Sequence, residues 1–564
     1  MQELVEGVAD SEPNAALVSK GPVAELFRVY EVPLYVLAAT IFAAIYAGYV
    51  LTYTTANVFW DQWEQAKILI DSYLHVLSFG QLWAQHNINR MLFPNIIDLL
   101  LGRLFRSEAY PAVIVSLILQ IASYAILTWA VLRETSNATR AVTFVGLSIL
   151  FLSATYEQDS LWSFQLAWFI VVFCLVAAVC ISATTSRGSA LAVLLTLALL
   201  ASFSSLQGLL VAPTATVVYL LRKQWRFALM TSAAWLIYLA VYMYHLNLSD
   251  TGGPGIFTSL RDPILAGKFF FVLLGSIFGS VGLAPLGFQP LELLGLVIVV
   301  SCLVTAIMLV RRFDQASTLS FVGSGLVAYG LAFAILTTVG RTGFGLPEAE
   351  SSRYSLNTLL IPIGMLLISS DFAVRSYRSR IADTGLRNFI FGFAVVSACF
   401  ANPVMLNQAD QFHAEMLKSI ALTANWRTAP QSAVTTLVYP NYHTFRVRVA
   451  ELSHFRLDGF GSATFKFLEL EGPLPATPSL SPLSTPRGTA LSKQMQQAWM
   501  VLSSVYFRRP DLQAAFPSTT AAKSLDCRLT TWAVDTVSSK LDSAYQLLAQ
   551  YGHSYRSLRR EFCD

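Results

Sequence analysis

The sequence predicts an α-helical polytopic membrane protein of about 11 spans, with a C-terminal α+β domain outside the membrane. Three observations predict it. Of 564 residues, 55% are hydrophobic and only 13% are charged, against about 25% charged in a soluble globular domain. The deficit falls on residues 32–405, where apolar runs of about 20 residues repeat. Residues 406–564 return to ordinary soluble composition.

The runs are helices because a backbone amide cannot stay unpaired in lipid. About 20 residues rising about 1.5 Å each match the roughly 30 Å hydrocarbon core. Spans are expected at 32–53, 111–132, 141–156, 161–183, 189–203, 207–221, 227–246, 289–310, 316–340, 355–370 and 388–405. The stretch 189–221 is too long for one crossing, and Ser202, Ser204, Ser205 and Gly208 offer a break. Residues 1–31 are polar and acidic, unlike a cleavable signal peptide, and read as a cytoplasmic segment.

Orientation follows from basic residues in short loops. Arg133 and Arg140, Arg187, Arg222 with Lys223 and Arg226, Arg311 with Arg312, and the arginines between 375 and 387 fall on alternate connections. Alternation holds only if the apolar run 264–284 does not cross once, so it is expected to be re-entrant or interfacial. The N-terminus then lies inside and the C-terminal domain outside.

The first outer loop, 54–110, is long and carries two amphipathic stretches of the kind that lie in a membrane interface, around 68–79 and 96–104. In the tail, alternation at 433–438 and 445–449 suggests short strands, 473–488 reads as a Pro/Ser/Thr-rich linker, and 491–507 and 528–551 look helical. Cys527 and Cys563 would be free to pair there if the tail is extracytoplasmic.

Some functions are disfavoured by omission. A net charge of +4 with no basic tract argues against a nucleic-acid partner. No GxxxxGK loop exists, which argues against ATP-driven transport.

Four polar constellations sit in the outer loops. Phe59-Trp60-Asp61-Gln62-Trp63-Glu64 places two carboxylates between tryptophans. It reads either as an aromatic belt with solvated acids or as a site in which Asp61 is a general base. On a helix Asp61 and Glu64 would share a face. The second, Trp83 to Arg90, offers His86 and Asn87 to orient a ligand and Arg90 to bind phosphate, or else a loop that ties interfacial helices together. The third, 156–165, holds Glu157 and Asp159 close to the bilayer, where ionisable groups are costly. These two acids are candidate ligands for a divalent cation such as Mg or Mn, or for sugar hydroxyls. Gln165 follows inside the next span, facing a polar cavity or a neighbouring helix. The fourth, 341–354, carries Arg341, Arg353 and Tyr354 on the side that should lack basic residues. The arginines either snorkel or meet an anionic partner such as a lipid phosphate.

The runs W-D-Q-W-E, W-x-Q-H-N-x-x-R with F-P, E-x-D-x-L-W-x-F-Q and S-S-R-Y together resemble the GT-C superfamily of membrane glycosyltransferases, over most of residues 32–405. The resemblance implies a bacterial cytoplasmic (inner) membrane enzyme with a periplasmic or extracellular tail. It implies a polyprenyl-phosphate-linked sugar donor and a glycan, lipid or protein acceptor among membrane lipids. The family's catalytic acid maps to Asp61, and its second acidic position to Glu157 or Asp159. Glu64, His86, Asn87, Arg90, Gln165, Arg341, Arg353 and Tyr354 are the expected substrate-binding set. Two other readings stay open: a transporter or flippase for a lipid-linked sugar or polysaccharide, and a non-catalytic envelope protein whose tail binds a partner.

Overall fold

The computed structural model describes residues 22–55, 58–106, 109–135, 137–248, 258–278, 288–375 and 380–460. Eight helical stretches are long and apolar enough to cross a membrane: Glu31–Tyr53, Ala109–Glu134, Thr139–Leu161, Ser163–Thr184, Trp225–Met243, Gln289–Arg311, Thr318–Phe344 and Ser352–Ala373. Each overlaps an expected span. Two more expected spans form the shorter helices Gly188–Ser202 and Leu206–Leu221, and the run 388–405 is one part of a helix of 45 residues, Arg380–Ala424.

The perimeter is apolar. Leu37, Ile41 and Ile45 on the first helix lie open, as do Leu229 and Ile237 on Trp225–Met243. So broad an uncovered apolar surface suits a lipid solvent and not water. At the centre lies Ser352–Ala373, 94% of whose apolar window is buried. It meets Thr318–Arg341 backbone to backbone: a Cβ on Gly323 would stand 2.5 Å from the Gly364 carbonyl oxygen. Small residues at such crossings let helices approach where no hydrophobic force drives them together.

Side-chain bonds sort the helix ends onto two faces. On one, Arg140 pairs with Glu31 at 2.8 Å and Arg222 donates to the Ser182 carbonyl at 2.6 Å. On the other, Thr54 donates to the Leu161 carbonyl at 3.2 Å and Ser351 to Gln158 at 3.3 Å. The helix Pro263–Gly275, from the ambiguous run, begins on this second face. The preceding turn bonds through Ser259 to the Val339 carbonyl, and the turn that follows touches Ser355–Thr358.

The first loop folds as Gln62–Tyr73, Phe79–Trp83, a hairpin pairing Gln85–His86 with Asn89–Arg90, and Leu92–Phe105. Leu100 and Leu104 are exposed while Ile97 and Leu101 pack inward, so the amphipathic reading of 96–104 holds.

Two expectations for the tail are corrected. The boundary at 405/406 falls inside the unbroken helix Arg380–Ala424. The strands expected at 433–438 and 445–449 are instead parts of the helices Gln431–Leu437 and Tyr442–Phe455. In the second, the buried residues Phe445, Val449 and Leu452 follow the helical period, and Val447, which completed the alternation, is exposed. Asn441 caps this helix by accepting from the Thr444 amide at 3.0 Å. Residues 424–460 pack on the first loop through an apolar cluster that includes Trp63, Leu69, Val438 and Phe445. Residues 1–21, the end of the 264–284 run, the linker 473–488, the helices at 491–507 and 528–551, and the Cys527–Cys563 pairing lie outside the described residues.

Candidate functional site

Asp61 opens the helix Gln62–Tyr73, and its side chain makes no capping bond. The residue before it, Trp60, holds φ at 48°, in a left-handed region that bulky side chains rarely occupy. The Trp60 amide donates to the Val438 carbonyl at 3.1 Å, so the tail helps to hold this bend. Backbone strain of this kind gathers where geometry serves a site.

Glu64 follows one helical turn later, and both acids reach His86. Glu64 Oε2 is 2.9 Å from His86 Nδ1, and Asp61 Oδ2 is 3.5 Å from Nε2. The first contact is a hydrogen bond; the second is a looser ion pair, and Nε2 has no hydrogen-bond partner. The hairpin delivers His86, turning at Asn87 with φ 51°. Asn87 serves as a turn residue, its carbonyl accepting from Gln85 at 2.8 Å. Glu64 Oε1 accepts from the Tyr439 hydroxyl at 2.9 Å.

Electrostatics fix the protonation of this cluster. Burial opposes charge on His86, but the carboxylates of Asp61 and Glu64 outweigh it and push the imidazole up to about 9. The bond from His86 holds Glu64 below the usual carboxylate range against the opposing effect of burial, helped by Tyr439 and the charge of Arg448. At neutral pH His86 is therefore a cation, and Asp61, 38% exposed, is an accessible carboxylate beside it.

A second cluster lies deeper on the same face. Glu157 and Asp159 are 4% and 1% exposed. Glu157 Oε1 accepts from Ser352 at 2.8 Å, while its Oε2 and both Asp159 oxygens have no hydrogen-bond partner among the described residues. The charges of Glu157 and Arg353 both act on Asp159. Arg353 and Tyr354 both donate to Glu348, an acid that sequence reasoning passed over although it lies only five residues before Arg353. Arg341 ends its helix with the guanidinium over the Phe344 ring, 5.2 Å from its centroid, and its charge reaches Tyr354.

The two clusters are joined. Gln62 bonds to both Ser163 and Trp162, and the His86 ring packs against Phe164 at 5.3 Å. The short loop bearing Glu157 and Asp159 thus lies against the segment bearing Asp61. Gln165 is buried near the start of the span Ser163–Thr184, and its Oε1 is without a partner among the described residues.

Arg90 stands apart. It is 4% exposed and donates to the carbonyls of Trp83, Tyr242 and Tyr244. Its fork ties the hairpin to the end of Trp225–Met243, which corrects the expectation that it binds phosphate. The cation site expected at Glu157 and Asp159 also meets an obstacle. Among the described residues no three His, Cys, Asp or Glu side chains converge as a metal site, and the positive charge of Arg353 acts on Asp159. Two acids alone are too few to hold a cation by the protein's side chains.

No family model matches the chain, no curated protein matches it, and no solved structure matches it. The site itself must carry the functional argument.

Proposed function

We propose that this chain is a membrane glycosyltransferase that moves a sugar from a polyprenyl-phosphate donor to an acceptor hydroxyl, with Asp61 as general base. The supporting observation is the Asp61–His86–Glu64 arrangement. A cationic His86 has no free lone pair, so it cannot take a proton at neutral pH. The adjacent, loosely held and half-exposed carboxylate of Asp61 can.

The acceptor hydroxyl gives its proton to Asp61 and attacks the anomeric carbon as the phosphate leaves from the opposite side. One displacement inverts the stereochemistry. Arg341 and Arg353 supply positive charge toward the leaving phosphate, and the apolar perimeter suits a prenyl chain lying alongside. The acceptor class is a glycan, a lipid or a protein of the cell envelope. In this reading the site face is the outer face of a bacterial inner membrane.

The test is transfer of labelled sugar from a polyprenyl-phosphate hexose to envelope acceptors in proteoliposomes. Asp61→Asn should cost about 10²–10⁴-fold in rate with folding intact. Full activity in that variant would remove Asp61 as the base.

One observation favours a second reading. Ionisable groups buried without partners, as at Asp159, also mark ion-coupled transport paths. Flux of lipid-linked sugar across proteoliposomes, lost in Asp159→Asn and kept in Asp61→Asn, would select a transporter.

A further inference from the structure

A phenol from the far end of the described chain reaches into the cluster of Asp61, Glu64 and His86. Tyr439 lies 375 residues from Glu64 in sequence, yet its hydroxyl donates to Glu64 Oε1 at 2.9 Å. Its ring is 7% exposed and joins the cluster of Val58, Trp63 and Phe445. The contact is held on both sides. The Val438 carbonyl accepts from the Trp60 amide, and Arg448 donates to the Trp63 carbonyl. The tail therefore grips the residues that flank Asp61 on either side.

We propose that Tyr439 is a positioning residue of the Asp61 site, acting by pinning Glu64, which in turn aims His86 at Asp61. Glu64 is 48% exposed, and a carboxylate so open would otherwise rotate freely. Tyr439 takes one of its oxygens and His86 Nδ1 takes the other. With Glu64 fixed, the His86 ring is fixed, and its remaining N–H faces Asp61 across 3.5 Å. The groups charging this chain of contacts are Asp61, Glu64, His86 and Arg448. Burial, with Glu64 beside it, raises the Tyr439 phenol above its ordinary range, so it remains a donor at neutral and mildly alkaline pH.

The consequence is that residues 424–460 complete the site and are not merely appended to it. The placement of Tyr439, Glu64 and His86 is independent of the reaction; only the importance of aiming at Asp61 rests on the glycosyltransferase reading.

The experiment follows the His86 imidazole by NMR in the full-length protein, labelled at histidine and held in nanodiscs, with His86→Gln to assign its signals. In the unaltered protein His86 should titrate near 9. Tyr439→Phe keeps the ring and its packing and removes only the donor. Negative charge on Glu64 then concentrates toward the imidazole, so the titration should move upward. Glu64→Gln should move it downward, by removing one of two anionic neighbours. In the Glu64→Gln background, adding Tyr439→Phe should change nothing further, because the phenol acts only through Glu64. An unmoved titration in Tyr439→Phe, or an equal shift in both backgrounds, would overturn the proposal. A protein that shows these shifts yet transfers no sugar would refute the glycosyltransferase reading and leave the positioning role standing.

Discussion

Each of the two polar clusters on the site face sets an Asp close to a Glu, yet they are built in opposite ways. Around Asp61 each Glu64 oxygen has a partner, both carboxylates are partly open, and a protonated imidazole sits between them. Around Asp159 the acids are sealed from solvent and three of their four oxygens lack a partner. An exposed, ion-paired carboxylate exchanges protons at little cost. A sealed, unpartnered one costs stability until something donates to it. In the proposed reading, the difference gives proton transfer to the first cluster and ligand contact to the second.

The largest effect that could break this division is on turnover. Asp61→Asn should remove about 10²–10⁴-fold of the rate, whereas Asp159→Asn should chiefly raise KM for the donor. The reverse pattern in steady-state kinetics would exchange the roles.

A smaller effect concerns pH. His86 is raised from its ordinary 6.5 to about 9, so its contribution to stability and to site geometry is complete below 6.5 and is lost as pH rises through about 9. Activity should fall above that pH, and Glu64→Gln should move the alkaline limb downward. A limb that stays in place would detach Glu64 from His86.

Stability sharpens the contrast further. Asp159→Leu removes a sealed carboxyl whose oxygens have no partner among the described residues, and should raise the unfolding free energy of the empty protein by about 1–3 kcal/mol, while Asp61→Asn should change it little. The smallest effect lies where the tail docks. Burial, with Asp458 nearby, pushes Asp98 up to about 8. A carboxyl so raised contributes stability fully below its unfolded value near 3.9 and loses it as pH rises toward about 8. Asp98→Asn should therefore slow hydrogen exchange in residues 455–460 at pH 8, and an unchanged rate would show that Asp98 does not load that junction.

Much of this was legible in the sequence, for a local reason. The spans could be read because each is an uninterrupted apolar run, and Asp61 and Glu64 because one helical turn separates them in an otherwise apolar setting. The role of Arg90 could not be read, since its partners are backbone carbonyls that every sequence possesses. Glu348 escaped because it stands beside Pro347, outside the S-S-R-Y run that drew the eye. Tyr439 was hidden twice: by its distance in the chain, and by a short alternating stretch that suits a strand until tertiary packing selects the helix.

The helix Arg380–Ala424 has a mechanical consequence. At about 1.5 Å per residue its 45 residues form a rod of roughly 68 Å, more than twice the hydrocarbon thickness. It leads directly into the segment that carries Tyr439. Tilting such a rod by ~5° swings its far end by ~6 Å, and helices tilt when a bilayer thins. In the proposed reading, the alignment at Asp61 would follow the tilt of this rod and so respond to lipid chain length.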